Sequence, residues 1–176
     1  MEPKILSKKT KYKGFVDIIS SKVKLPDGLI FNEEFIQVKN DSVIIVPLDN
    51  ENNIYLLKEW RPAWQRRIIT LPGGVLECKK EIEQARNELR EEVGYDAKKI
   101  EKLITVLVGT KIKRKTHIYL ARNLFKSPKE KDENEVINVI KLPIKEAYKL
   151  FLSGKEQTDT YTVLGIILTM KKLRMK

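Results

Sequence analysis

Residues 71–95 read LPGGVLECKKEIEQARNELREEVGY and join a Pro-Gly-Gly turn to a segment rich in carboxylates. At about 100° per residue, four apolar residues of this segment fall within one narrow arc, which predicts a helix over residues 81–93 with that face packed on a sheet. Gly94 follows the last apolar position, where a glycine commonly ends a helix. The four apolar residues are Ile82, Ala85, Leu89 and Val93.

The same helix carries three glutamates on a separate arc. Glu88 and Glu92 are one turn apart, and Glu91 lies beside them. Like charges this close repel one another unless a cation lies among them, and carboxylate oxygens on a rigid helix suit Mg²⁺, which also binds substrate phosphates. The alternative is a solvated acidic face, which is the common explanation for a Glu-rich helix. The glycine turn upstream, and the single sign of these charges in a basic protein, favour the metal site.

Residues 73–95 resemble the signature motif of the Nudix hydrolase family. In this resemblance Glu88, Glu91 and Glu92 hold the places of the family's metal-binding glutamates, and Gly73 is the leading glycine, whose carbonyl would contact the metal. The family's first glutamate and its arginine, which largely brace the loop against the helix, are replaced by Lys79 and Asn87. The loop before the helix also looks one residue short, so Glu77 or Glu81 is a candidate substitute for the missing brace.

Four further segments resemble the ADP-ribose pyrophosphatase branch of that family: Lys58–Pro62, Leu71–Gly74, Leu25–Gly28 and Ser153–Thr162. This resemblance implies an α/β (α+β) fold in which a mixed β-sheet is sandwiched between helices and preceded by an N-terminal antiparallel strand pair. It further implies a homodimer, with residues 1–40 packing across the partner and residues 41–176 forming the Nudix domain.

The remaining periodicities predict the elements of such a fold. Runs of apolar and β-branched residues alternate with turn-forming residues along most of the chain. We expect strands at 14–25 and 29–38, a hairpin over 42–59, strands at 68–71, 100–109, 116–121 and 136–141, and helices at 143–153 and 159–173.

The segment Gly109–Thr116, GTKIKRKT, contains no carboxylate. Enzymes of the resembled branch carry there a glutamate that orients the attacking water, so the general base must come from elsewhere. The basic segment is either a solvated hairpin tip or a clamp, through Lys113 and Arg114, for extra substrate phosphates or an RNA end. Thr70 replaces another glutamate of the branch. The candidate general bases are Glu91, Glu92, Glu133 and Glu135.

Three further residues are candidates for substrate binding. Phe31 and Trp60 have aromatic faces on which a base can stack; the alternative is a place in the core or in a dimer interface. Arg61 ends a predicted strand just before a proline, where contact with a substrate phosphate is expected.

The composition of the chain indicates which partners and which cellular location to expect. The chain has 176 residues, 41% of them hydrophobic, and a net charge of +11, which favours polyanionic partners such as phosphorylated small molecules or nucleic acid. The single cysteine excludes an internal disulfide and fits the cytoplasm, and the single histidine excludes a His/Cys zinc cluster. No run approaches the roughly 18 apolar residues of a membrane span, and we see no signal peptide.

These observations predict Mg²⁺-dependent hydrolysis, with Mn²⁺ as an alternative ion, of the diphosphate in a nucleoside diphosphate linked to another group. ADP-ribose or a related ADP-sugar is the first substrate to test. Two alternatives remain open: hydrolysis of FAD, NADH or nucleotide-capped RNA ends, and a catalytically weakened Nudix fold that binds a nucleotide or RNA.

Overall fold

The computed structural model describes residues 1–78, 80–129 and 137–175. Lys79, Glu133 and Glu135, which the sequence singles out, lie outside the described residues. The chain divides into two compact units. The N-terminal unit comprises Met1–Asp41 with Val106–Thr116, and the main unit comprises Ser42–Thr105 with His117–Lys176. Division into functional domains at residues 40 and 41 stays a prediction.

The described strands and helices are numbered in the order in which they occur along the chain. They are β1 (Lys4–Tyr12), β2 (Val16–Lys24), β3 (Ile30–Val38), β4 (Ser42–Leu48), β5 (Asn53–Arg61), β6 (Arg66–Thr70), β7 (Gly73–Val75), α1 (Glu81–Glu88), β8 (Tyr95–Leu107), β9 (Ile112–Lys113), β10 (Lys115–Lys126), β11 (Ile137–Pro143), α2 (Ile144–Leu152) and α3 (Thr160–Lys172).

The N-terminal unit is built on a sheet with the strand order β1-β2-β3-β9. Strands β2 and β3 pair antiparallel and confirm the predicted strand pair, whose turn contains Gly28 at a φ of 95°. Strand β9 joins β3 in parallel. Strand β1 is not predicted from the sequence, because its residues KILSKKTKY are all exposed and show no apolar alternation to mark a strand.

The main unit places its sheet between helices, as predicted. The described strands run in the order β11-β5-β4-β10-β8, with β6 paired to β5 and β7 paired to β4. Alternate residues of β4 point to opposite faces: Val43 and Ile45 pack in one cluster with Ala85 and Leu89 of α1. Their neighbours Val46 and Leu48 pack in a second cluster with α2 and α3. No helix in the described ranges is long and apolar enough to cross a membrane.

The carboxylate-bearing helix ends where the sequence predicts, but the residues that it buries are not those predicted. After α1 the chain continues through one π-helical turn, Leu89–Val93, which closes with a bond from the Gly94 N–H to the Leu89 carbonyl. The prediction that Ile82 packs on the sheet is wrong, since that side chain is 45% exposed. Gln84 and Glu92 are buried instead. The buried face of the helix is therefore rotated toward its carboxylates, and Ile82 lies at the edge of that face.

Candidate active site

The turn at Gly73 and Gly74 lies against the carboxylates of the helix. The Gly73 N–H donates a hydrogen bond of 2.8 Å to Oε2 of Glu92. A Cβ atom built on Gly74 would lie 2.1 Å from Oε1 of Glu88, so a glycine is required for the backbone to approach this carboxylate. The structure therefore brings together Gly73, Glu88 and Glu92, three of the four residues that the sequence offers as metal ligands; their role as ligands stays a prediction.

Two neighbouring elements hold this turn in place. On one side, Gly73 and Gly74 pair with Ile44 and Val43 of β4. On the other, the Leu71 N–H donates a bond of 2.9 Å to the hydroxyl of Thr162 in α3. Helix α3 is itself fixed at this end, because Asp159 caps it by accepting from the Thr162 N–H at 2.7 Å. The predicted helix entry around Thr158 and Asp159 thus has a direct structural link to the glycine turn.

Gln84 joins the loop to the helix at the place where the family's brace is missing. Its side-chain oxygen accepts from the Glu77 N–H at 3.2 Å, and its Nε2 donates to Oε1 of Glu88 at 2.9 Å. The side chain is only 6% exposed. Gln84 is not among the residues predicted from the sequence, although its place one turn before Glu88, next to the apolar arc, is a signal that could have identified it.

Glu81, the other suggested substitute, braces a different part of the helix. Its carboxylate pairs with Lys102 at 2.5 Å and accepts from the hydroxyl of Tyr119, with Nδ1 of His117 at 3.5 Å. Burial acts to raise the pKa of Glu81, but the hydrogen bonds from Lys102 and Tyr119 outweigh it and hold the pKa below its usual value. Burial, together with the hydrogen bond that its hydroxyl donates to Glu81, raises the pKa of Tyr119. Glu81 therefore ties the first turn of α1 to β8 and β10.

Glu91 has a cation of the protein beside it. Its Oε1 forms an ion pair with Nζ of Lys129. The segment that carries Lys129 is bonded to the end of the helix, through Ser127 N–H to the Gly94 carbonyl at 3.0 Å and Arg90 Nε to the Ser127 carbonyl at 3.1 Å. The crowding of three carboxylates inferred from the sequence is thus relieved in part by Lys129.

The donor set fits a divalent cation that keeps part of its water shell. Within the described ranges, no group of three or more His, Cys, Asp or Glu side chains is arranged to hold a metal by itself. Glu88, Glu92 and the backbone at Gly73 offer oxygen donors only, and Glu92 is 8% exposed although it is a carboxylate. One or two carboxylates, with water and substrate phosphates completing the shell, is the arrangement typical of Mg²⁺.

The residues predicted to bind substrate are found at the surface. In the main unit, Trp60 is 55% exposed, and Arg61 forms an ion pair with Glu59. Glu59 also accepts from the Thr70 hydroxyl at 2.9 Å, so Thr70 is buried beside a carboxylate supplied by β5. In the N-terminal unit, Phe31 is 38% exposed. The alternative that Trp60 and Phe31 are core residues is therefore wrong within each unit.

Lys113 and Arg114, the other predicted binding residues, belong to the N-terminal unit. Lys113 extends β9, pairs with Gln37 of β3 through the backbone, and has its Nζ 3.4 Å from the Gln37 side-chain oxygen. Nε of Arg114 is enclosed and has no hydrogen-bond partner in the part of the chain that is described. Binding of substrate by either residue stays a prediction.

Comparison with known proteins agrees with this geometry. The chain is 29% identical to an ADP-ribose pyrophosphatase of Bacillus subtilis, over 94% of this chain and 91% of that protein. It is 28% identical to a methanol dehydrogenase activator of Bacillus methanolicus, over 82% of this chain and 79% of that protein. A solved structure of an ADP compounds hydrolase shares the fold, with a TM-score of 0.89, 20% identity, and coverage of 99% and 95% of the two chains.

The family model for the NUDIX domain matches residues 38–162, which is most of the chain and includes the glycine turn, the helix and the entry to α3. The likeness in fold, the match to the family model and the carboxylates at Gly73-Gly74 all agree. The chain belongs to the NUDIX family of hydrolases.

Proposed function

We propose that this protein hydrolyses the diphosphate of ADP-ribose, or of a related ADP-sugar, with Mg²⁺ as the activating ion. The observation that carries the proposal is the contact of Gly73 and Gly74 with the carboxylates of Glu92 and Glu88. The B. subtilis relative named as an ADP-ribose pyrophosphatase supports the choice of substrate. A cytoplasmic location, expected from the single cysteine, is part of the same proposal.

The ion bound by Glu88, Glu92 and the Gly73 carbonyl would polarise the diphosphate and lower the pKa of a bound water. The protein's own groups hold these ligands in place: the Gly73 N–H fixes one oxygen of Glu92, and Gln84 fixes Oε1 of Glu88. Glu91 is then the carboxylate of the helix left to accept a proton, which requires its ion pair with Lys129 to open.

The test is a hydrolysis screen in which products are identified, with Mg²⁺, Mn²⁺ or EDTA present. The substrates are ADP-ribose, ADP-glucose, FAD, NADH and RNA with a nucleotide cap. We expect metal-dependent release of AMP and ribose 5-phosphate from ADP-ribose at the highest kcat/KM. Preference for FAD, NADH or capped RNA would select the first alternative function, and binding without turnover of any substrate would select the second.

We also propose that the protein is a homodimer assembled through residues 1–40. Large apolar side chains are exposed along this segment, and a contiguous exposed apolar surface commonly marks an interface. They are Ile5, Leu6, Tyr12, Phe15, Ile18, Leu29, Ile30 and Phe31.

A further inference from the structure

The N-terminal unit contains a cavity of about 560 Å³ between the end of β3 and the segment around β9. This volume is within the range of roughly 300–1,000 Å³ that holds small-molecule ligands. The wall is formed by the backbone pairing of β3 with β9 and by the bond from the Lys115 N–H to the Asp41 carboxylate, 2.9 Å long. Paired backbone therefore fixes part of the wall.

Positive charge dominates the lining. It contains four cations, Lys39, Lys113, Arg114 and Lys115, against the single carboxylate of Asp41. Among the described residues, neither Lys39 nor Lys113 forms an ion pair, and Nε of Arg114 is an enclosed donor with no acceptor. A buried donor without an acceptor is unfavourable, so an anionic oxygen of a ligand that gains access to the Arg114 guanidinium would relieve it.

The rest of the lining is apolar. Phe35, Val38, Leu107 and Ile112 contribute to it. A bare anion gains nothing from such a surface, whereas a ligand that carries an apolar or planar ring next to its phosphates would contact both parts.

We propose that this cavity binds a phosphorylated small molecule of nucleotide size, with its phosphates against Lys113 and Arg114 and its ring against the apolar wall. The proposal goes beyond the hydrolysis proposed above and uses none of the carboxylates of α1. Nucleic acid is the competing occupant of a basic surface, but the concave shape of this site, its volume and its apolar lining favour a small molecule.

The test measures the affinity of the full-length protein for ATP by calorimetry, with EDTA present so that no metal-dependent turnover occurs. The double variant K113Q/R114Q should lose at least about tenfold in affinity, because two charge-assisted contacts are removed. The control K9Q/K111Q removes the same charge from the same unit at positions that do not line the cavity, and should stay within about twofold of wild type. If K113Q/R114Q has a lower Tm than wild type, the variant K39Q/K113Q is measured in its place, because the side chains of Lys39 and Lys113 are both exposed.

Inorganic triphosphate and adenosine, tested separately, should each bind more weakly than ATP, because each fills one part of the cavity. Equal losses in K113Q/R114Q and K9Q/K111Q, or no binding of ATP, would overturn the proposal. It would also be overturned if a single-stranded RNA oligonucleotide bound through Lys113 and Arg114 while ATP did not. Hydrolysis of ADP-ribose is assayed in parallel with Mg²⁺, so the failure of one proposal is distinguished from the failure of the other.

Discussion

The two units of the chain differ in the apolar core that each one builds. The main unit buries them in two clusters, one on each face of its sheet, and Val43, Leu48, Leu89 and Ile118 are fully enclosed. In the N-terminal unit, every residue of β1 is exposed and Phe15 is 85% exposed. The main unit thus has a core of its own, whereas the N-terminal unit presents apolar surface that a partner would cover.

Under the proposals made above, the carboxylates of the main unit carry out the chemistry, and surfaces of the N-terminal unit serve assembly and binding. Substitutions in the main unit should then change turnover without changing assembly. Substitutions on the apolar surface of the N-terminal unit should change assembly first.

The largest effect is expected from neutralising one buried carboxylate. E92Q should lower kcat by about 10²-fold or more, because it removes a charge that the proposed cation needs while keeping the side-chain volume. The change E91Q should also lower kcat by at least about 10²-fold, because Glu91 is proposed to accept the proton. Steady-state kinetics and light scattering check both variants. Activity of E92Q near that of wild type would refute the assignment of Glu92, and a loss of less than about tenfold in E91Q would show that Glu91 serves only as the ion-pair partner of Lys129.

A methyl group at Gly74 should affect activity more than stability. The added Cβ would meet the Glu88 carboxylate, the movable end of a side chain, so the fold can adjust while the carboxylate is displaced. We expect G74A to lose roughly 10- to 100-fold in activity, as when a metal site is disturbed, with little change in Tm. The control G165A places its Cβ 2.7 Å from Leu71 in the packed core and should lose about 1–3 kcal/mol of stability instead. Equal melting losses in both variants would contradict this distinction.

Assembly should respond to the apolar surface of the N-terminal unit. F15S/L29S replaces side chains that are 85% and 58% exposed, so the isolated chain should still fold. We expect the dimer to dissociate at least about tenfold more readily, because apolar area buried on association contributes roughly 25 cal/mol per Å². Light scattering across a dilution series measures this change. The control L152S/I167S alters exposed apolar residues of the main unit and should leave the dimer intact; dissociation of both variants, or a monomeric wild type, would contradict the proposed interface.

The smallest effect concerns acid stability. The pKa of the Glu81 carboxyl is below its usual value in the folded protein. Glu81 therefore makes its whole contribution to the free energy of unfolding at pH values above its pKa in the unfolded chain, and this contribution is lost as the pH falls through its pKa in the folded protein. E81Q should therefore lower Tm near neutral pH by on the order of 2 °C and flatten the acid side of the curve of Tm against pH below about pH 4.5. Calorimetric scans from pH 3 to 7 test this, with the exposed-residue variant E83Q as the control. Parallel curves for wild type and E81Q would show that Glu81 contributes no acid sensitivity.

The sequence predicted most of the fold because its strongest signals are local. The strand pair at β2 and β3, the hairpin of β4 and β5, and the positions of α1, α2 and α3 follow from apolar periodicity and turn residues. Strand β1 was missed because pairing with β2, and not burial, holds it in the sheet. Ile82 was misplaced because the helical wheel treats Gln84 and Glu92 as outward, whereas specific hydrogen bonds hold them on the buried face.

The sequence is enough to predict which residue types form the candidate site and how they are spaced along the chain. Glu88, Glu92 and Gly73 are brought together because the turn and the helix follow one another directly in the chain. The roles of Gln84 and Lys129 were not predictable. Each depends on a side chain that reaches a carboxylate in a geometry that spacing alone does not specify, and for Lys129 the partner is 38 residues away in sequence.

The anchoring of the glycine turn by α3 has a consequence for protein synthesis. The bond from Leu71 to Thr162 and the bond from Thr158 to Ile69 join residues that are 91 and 89 positions apart. When the ribosome has made the turn and the carboxylate-bearing helix, the threonines that fix this turn have not yet been synthesised. A nascent chain released before α3 would thus contain all three glutamates of the candidate site and still lack the anchor of the glycine turn. Competence for the proposed turnover should therefore appear only after α3 has docked.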